Sequence, residues 1–169
     1  MERKIVCFSA ADRKSRENYE KSVLKPIELK ELNKKIKVSN IPMEFVSIWG
    51  VRWDKIWKDI MTNDIVLFYA NRRFISYTTV ITKLQSNDIS EYLWGTDEYK
   101  NLVIMSPIVR IESSREDFWK AFNYAPRLYI QGARIPFIKR QIELVTEYGS
   151  IELFLKEALN LDNLNLPKF

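Results

Sequence analysis

Residues 64–83, DIVLFYANRRFISYTTVITK, carry a continuous apolar run, the polar turn NRR, and a second run rich in β-branched and aromatic side chains. Segments of that composition extend on a pleated surface, and a short polar turn between two of them predicts an antiparallel hairpin. This hairpin decides the class of fold. A doubly wound parallel sheet places a crossover helix between neighbouring strands, and three polar residues leave no room for one.

Working outward, residues 46–51 (VSIWGV) alternate like a strand, and residues 53–61 (WDKIWKDIM) place Trp53, Ile56, Trp57 and Ile60 at helical i, i+3, i+4, i+7 spacing. Residues 5–9 (IVCFS) predict a strand, followed by a helix whose N-cap is Asp12. Residues 26–42 lack sustained periodicity and read as a connector with at most a short helix, ended by Pro42. On the other side, 91–99 (EYLWGTDEY) read as a polar loop, and 102–111 (LVIMSPIVRI) as one strand in which Pro107 marks an edge, a bend or a bulge. Residues 113–122 predict a helix capped by Ser113 or Ser114, 127–137 a last strand kinked at Gly132, and 138–159 two helices broken near Gly149. The order predicts an α+β fold: a small curved sheet or open β-barrel of five to six strands with helices packed outside it. Residues 1–158 are expected to form a single domain, and 159–169 (LDNLNLPKF and the two residues before it) a tail or the start of a linker.

Composition removes whole classes of function. The chain has no histidine and one cysteine, Cys7, which sits in an apolar run as a small core residue. Serine–histidine and cysteine–histidine nucleophile pairs, the usual zinc sites and any disulfide framework are thereby excluded. Four scattered glycines leave no glycine-rich phosphate cradle. Adjacent acids such as Asp97 and Glu98 read as solvated loop residues rather than an acid/base pair. The segment is therefore expected to be a binding domain rather than an enzyme, with no cofactor and no metal. Apolar runs are too short to cross a bilayer and the charged start does not suit a leader, so the expectation is a cytoplasmic protein without a membrane partner. The formal charge is +5, and by count residues 1–40 hold 11 Lys+Arg against 6 Asp+Glu while the remainder balances at 16 against 16. Such an excess suits either a solvated surface helix or a face for a phosphate backbone.

The tryptophans are the chemical signal. Trp53 and Trp57 lie on the periodic helix face and read as core, with Trp53 equally placed to border a site. Trp49 ends a strand just before Gly50, where a ring can project into a cleft and the glycine admits a ligand to the backbone. Trp94 precedes Gly95 in the polar stretch. Two tryptophans on separate loops can sandwich a planar group, and a base stacked on an aromatic ring gains about 1–3 kcal/mol.

Residues 47–81, SIWGVRWDKIWKDIMTNDIVLFYANRRFISYTTVI, resemble the EVE and YTH branches of the PUA-like superfamily: a strand ending in Trp plus a small residue, a short helix, then a DIVxFY strand turning into the next. The likeness extends over about residues 4–140. It implies a nucleic-acid reader, for DNA ahead of RNA, that flips a modified, commonly methylated base into an aromatic cage. Carried onto this sequence, the cage would draw on Trp49, Trp94 and Trp53, with Ser9 at the base edge. A basic rim of Arg13, Lys14, Arg16, Arg52, Arg72 and Arg73 would meet the backbone phosphates. The module also resembles the N-terminal domain of an McrB-type modification-dependent restriction protein, which implies a GTPase domain downstream and a nuclease subunit as partners. An RNA reader, and a small-ligand or protein-interaction domain, are the other classes compatible with an aromatic pocket.

Overall fold

A computed structural model describes residues 2–38 and 40–169. The chain runs through β1 (Ile5–Ser9), α1 (Arg13–Tyr19), a π-helical turn (Glu20–Leu24), β2 (Ile27–Glu28), α2 (Leu29–Asn33), β3 (Phe45–Val51), α3 (Asp54–Asp59), β4 (Ile65–Ala70) and β5 (Arg73–Gln85). It continues through α4 (Asn87–Trp94), β6 (Asn101–Met105), β7 (Val109–Ser114), α5 (Glu116–Ala121), β8 (Ala133–Arg134), α6 (Ile138–Tyr148) and α7 (Ile151–Ala158). The strand order is β2-β3-β6-β5-β4-β1-β8, with β7 also on β5. Only β1 and β4 pair in parallel among these strands.

The predicted hairpin is β4–β5. Its turn is closed by Asn71 and Arg72, both at positive φ (51° and 61°), the backbone twist that two-residue hairpins favour. The 13-residue β5 is the hinge of the fold. Its first half pairs with β4 and β7 and its second half with β6, with a register shift between Val80 and Thr82. A bulge bends and twists its strand, so the sheet curls until β3 lies across β1 and β4. Trp49 on β3 then stacks on Phe8 of β1 (ring centroids 6.0 Å apart) and meets Phe68 of β4 edge-on at 5.3 Å. No ladder joins β3 to β1 or β8 among the described residues, so the barrel is open along that seam.

Strand alternation sorts the side chains into three layers. Val6, Phe8, Trp49, Val51, Phe68, Val103 and Met105 fill the barrel interior. Cys7, Leu67, Tyr69 and Phe74 face outward under α5, α6 and α7. Ile48, Ile104 and Leu102 face outward on the other side, under α2 and α4 with Trp94 and Tyr99.

Four expectations are corrected. The strands number eight rather than five or six among the described residues, two of them only two residues long. Residues 102–111 form two strands, because Pro107 cannot donate to a ladder and the chain crosses there from the second half of β5 to the first. The stretch 91–99 is not a polar loop: Ser86 caps α4 by accepting from the Ile89 N–H, and the helix ends on Gly95 in the left-handed region at φ 69°. The last strand contracts to Ala133–Arg134. The breaks at Asp12 and Gly149 fall as expected, with Asp12 capping α1 through the Ser15 N–H and Gly149 left-handed at φ 85°. Residues beyond α7 lie along the fold: Leu161, Leu164 and Leu166 pack against the outer layer under α5–α7. Asn63 exchanges two hydrogen bonds with the backbone of Phe169, at 2.9 and 2.7 Å.

Candidate functional site

A cleft of about 280 Å³ opens on the unclosed seam of the barrel. Three segments build it: the end of β1 with the start of α1 (Ser9, Asp12, Lys14, Ser15), the end of β3 with the residues after it (Trp49 to Trp53), and Gly132–Ala133 entering β8; Tyr99 borders it. The curl of the sheet is what brings these together, since β1 and β3 are separated by three strands in the hydrogen-bonded order.

Trp49 forms the inner wall. The residue is 6% exposed, packed among the interior aromatics, and the small part left open borders the cleft. Of the other indoles, Trp57 donates to the Leu102 carbonyl (3.0 Å) and Trp94 to the Ser22 hydroxyl (3.2 Å), while Trp119 is sealed without a partner.

Trp53 forms the outer lip. It flanks the start of α3 and is 52% exposed, so the helical spacing that grouped it with Ile56 and Ile60 does not place it in the core. Its ring leans across the seam onto Gly132, where an added Cβ would stand 2.9 Å from Trp53 Cζ3. Gly132 is therefore small because a tryptophan packs on it, and its φ of 61° suits glycine as well.

Trp94 is not part of this cleft. Because side chains alternate along β3, Trp49 points into the barrel and Gly50 out of it. Trp94 packs on that outer face, 4% exposed, edge-on to Tyr99 at 5.6 Å. A Cβ on Gly50 would lie 2.8 Å from Trp94 Cζ3 and collide with Tyr99. The missing Cβ thus makes room for two core rings, while Gly50 itself borders the cleft.

Ser9 lies at the cleft, its backbone N–H donating to the Gly132 carbonyl at 2.7 Å. Sequence reasoning missed Asp12 and Tyr99 as cleft residues. Asp12 carried the N-cap signal, and the cap is real: its carboxylate accepts from the Ser15 N–H (2.9 Å) and hydroxyl (2.6 Å). Those bonds, the hydroxyl first, hold its pKa below the ordinary carboxylate value, so an ionised carboxylate borders the cleft. Arg52 donates to Glu98 (2.7 Å) and to the Tyr99 hydroxyl (3.2 Å), and its guanidinium lies over the Tyr99 ring.

Of the six expected rim cations, Lys14 and Arg52 border the cleft. Arg13 is exposed on α1 and paired with Glu17 at 3.1 Å. Arg16 lines a separate groove with Tyr19 and Arg110. Arg72 and Arg73 lie at the β4–β5 turn, Arg72 beside a second cavity and Arg73 facing Glu112 at 3.7 Å. No group of three or more His, Cys, Asp or Glu is arranged to hold a metal among the described residues. No helix among them is long and apolar enough to cross a membrane.

No protein-family model matches the sequence, and no curated protein does so significantly. Solved structures do share its fold. The N-terminal domain of Thermococcus gammatolerans McrB, solved bound to m5C DNA, superposes with a TM-score of 0.69 at 18% identity, covering 85% of this chain and 96% of that one. The YTH domain of Zygosaccharomyces rouxii MRB1, in complex with N6-methyladenosine RNA, gives 0.52 at 12% identity over 99% and 91%. The chain has the fold of these two domains.

Proposed function

We propose that this chain is a nucleic-acid-binding module that reads a modified base, in DNA ahead of RNA, by holding it out of the helix in the cleft between Trp49 and Trp53. The observation that carries the proposal is that cleft: a buried indole and an exposed one line the same opening on the seam of the barrel, with the Asp12 carboxylate beside them. Its volume of about 280 Å³ lies near the lower end of the roughly 300–1,000 Å³ range of ligand pockets, suited to one planar group rather than a larger ligand.

Each residue then has a role. Trp49 and Trp53 supply stacking surface. The Asp12 carboxylate accepts from an exocyclic amine, as acidic side chains do from cytosine N4, and Ser9 adds a hydroxyl at the base edge. Lys14 and Arg52 meet phosphates flanking the extruded nucleotide, with Arg13, Arg16, Arg72 and Arg73 extending the contact to either side. The superposed McrB domain, solved bound to m5C DNA, supports DNA as the polymer; by the same analogy the module would serve a restriction system, with a downstream GTPase domain and a nuclease subunit as partners. In that arrangement this segment supplies recognition and leaves catalysis to the partners. The YTH likeness favours RNA as the second reading.

The test is fluorescence anisotropy with matched DNA and RNA oligonucleotides, each unmodified or carrying one 5-methylcytosine or one N6-methyladenine. Tighter binding to one modified DNA than to its unmodified twin is expected. Preference for modified RNA would move the assignment to the second reading, and indifference to modification in both polymers would overturn it.

A further inference from the structure

Trp53 is an outer wall whose position burial does not fix. It flanks α3 and is half exposed, and an exposed side chain hops between rotamers within nanoseconds unless a contact holds it. The contact here is Gly132. Measured from the place an added Cβ would take on that glycine, Trp53 Cζ3, Cη2 and Cε3 stand at 2.9, 3.1 and 3.8 Å. Those three atoms are one edge of the benzo ring, and the nearest lies well inside the roughly 3.5–4.0 Å at which two carbons pack best. A side chain at position 132 and the observed place of the ring therefore exclude one another.

The support under Trp53 is itself anchored. The Gly132 carbonyl accepts from the Ser9 N–H at 2.7 Å, and the next residue, Ala133, is the register partner of Phe8. Trp49, the inner wall, stacks on Phe8 with ring centroids 6.0 Å apart. Consecutive residues of β1 thus support both walls, Phe8 by stacking on Trp49 and Ser9 through the Gly132 backbone that carries Trp53. Because β1 is buried along its whole length, the two walls keep their spacing before any ligand arrives, and a site ordered in advance lowers the ordering cost of binding. Gly132 also sits at φ 61°, where an L side chain is strained, so alanine there would combine backbone strain with the collision. Gly95 separates the two effects: its φ is 69°, but an added Cβ meets nothing within 4 Å.

We infer that Gly132 is a positioning residue of the base cleft: by admitting the Trp53 benzo edge it sets the gap between Trp49 and Trp53, and with it the affinity gained from the modified base. This rests on the base-reading proposal. The Trp53 side-chain N–H signal is assigned in ¹H–¹⁵N NMR spectra by its loss in Trp53→Phe, and in the free Gly132→Ala protein it should shift more than the other four indole signals. Anisotropy with the preferred modified oligonucleotide and its unmodified twin then gives the preference for the modification. In Gly132→Ala that preference should fall about fivefold or more, the factor one stacked base is worth, and Gly132→Ala should add little to the loss already seen in Trp53→Ala. Trp53→Phe, at an exposed position, keeps a stacking ring but lacks the benzo edge that reaches Gly132, so its preference should fall as well. Gly95→Ala, with the same backbone strain and no collision, should retain it. An unmoved Trp53 signal in Gly132→Ala, a preference retained in Gly132→Ala or Trp53→Phe, an equal loss in Gly95→Ala, or an equal further loss when Gly132→Ala is added to Trp53→Ala each overturns the inference and leaves the base cleft standing. Wild-type indifference to modification overturns the base-reading proposal and this inference with it.

Discussion

Trp49→Ala and Trp53→Ala contrast the buried and the exposed wall of the proposed cleft. Trp49 is 6% exposed, stacks on Phe8 and meets Phe68 edge-on inside the barrel. Removing a buried tryptophan costs about 3–5 kcal/mol, which includes two aromatic pairs of about 0.5–1.5 kcal/mol each beyond simple burial. At about 2–4 °C per kcal/mol for a chain of this size, the midpoint should fall by about 6–20 °C, and ligand binding should be lost with it. Trp53→Ala is the counterpart. That ring is half exposed and touches Gly132 from outside, so the variant should melt within about 3 °C of wild type, corresponding to about 1 kcal/mol, while losing the stacking worth about 1–3 kcal/mol in binding. Paired thermal melts and anisotropy titrations read both quantities. A Trp49→Ala melt within 2–3 °C of wild type, on the order of 1 kcal/mol, would refute the placement of that ring in the core.

Trp57 is half-buried, with its N–H on Leu102 and the Lys83 ammonium 4.8 Å from its ring centre, so Trp57→Ala should cost about 2 kcal/mol in urea denaturation, short of a fully buried ring. Gly50→Ala should destabilise by about 2 kcal/mol or more by the same assay, since the new methyl meets Trp94 and Tyr99. Asp12→Asn keeps a capping side chain but removes the charge, so binding should weaken while the helix content seen by circular dichroism is retained. Because the Asp12 pKa is lower in the folded chain than its ordinary value of 3.8, the wild-type advantage in stability should be fully present above that value and disappear as pH falls through the lowered one. A wild-type advantage that persists well below that range would contradict the capping account.

The hairpin, β1, the Asp12 cap and the Gly149 break were legible because each rests on a local signal: an apolar run, a capping side chain or a left-handed glycine. What decides the site is not local. Trp49 and Trp94 both precede a glycine, and nothing in those pairs says that β3 alternation turns Trp49 inward while Trp94 packs outside. Trp53 has the spacing of a core residue, but α3 is only six residues long and its flank stays in solvent. Asp12 and Gly132 are neighbours through the β1–β8 ladder, but Trp49 and Trp53 reach them only because the bulge in β5 curls the sheet, and a bulge between Val80 and Thr82 leaves no mark in a run of β-branched residues. Helix α4 was hidden for a related reason. Its buried side is only Ile89, Ser90 and Trp94, too sparse a stripe to stand out among polar neighbours.

The central claim is that the modified base leaves the helix and enters the Trp49–Trp53 cleft. The most direct measurement places 2-aminopurine next to the modified base of the preferred duplex and follows its fluorescence at saturating protein. Loss of the neighbour's stacking should brighten the probe with wild-type protein on modified DNA. The rise should be absent on the unmodified duplex and strongly reduced with Trp53→Ala. Saturated binding of the wild-type chain to modified DNA with no change in fluorescence would contradict the account.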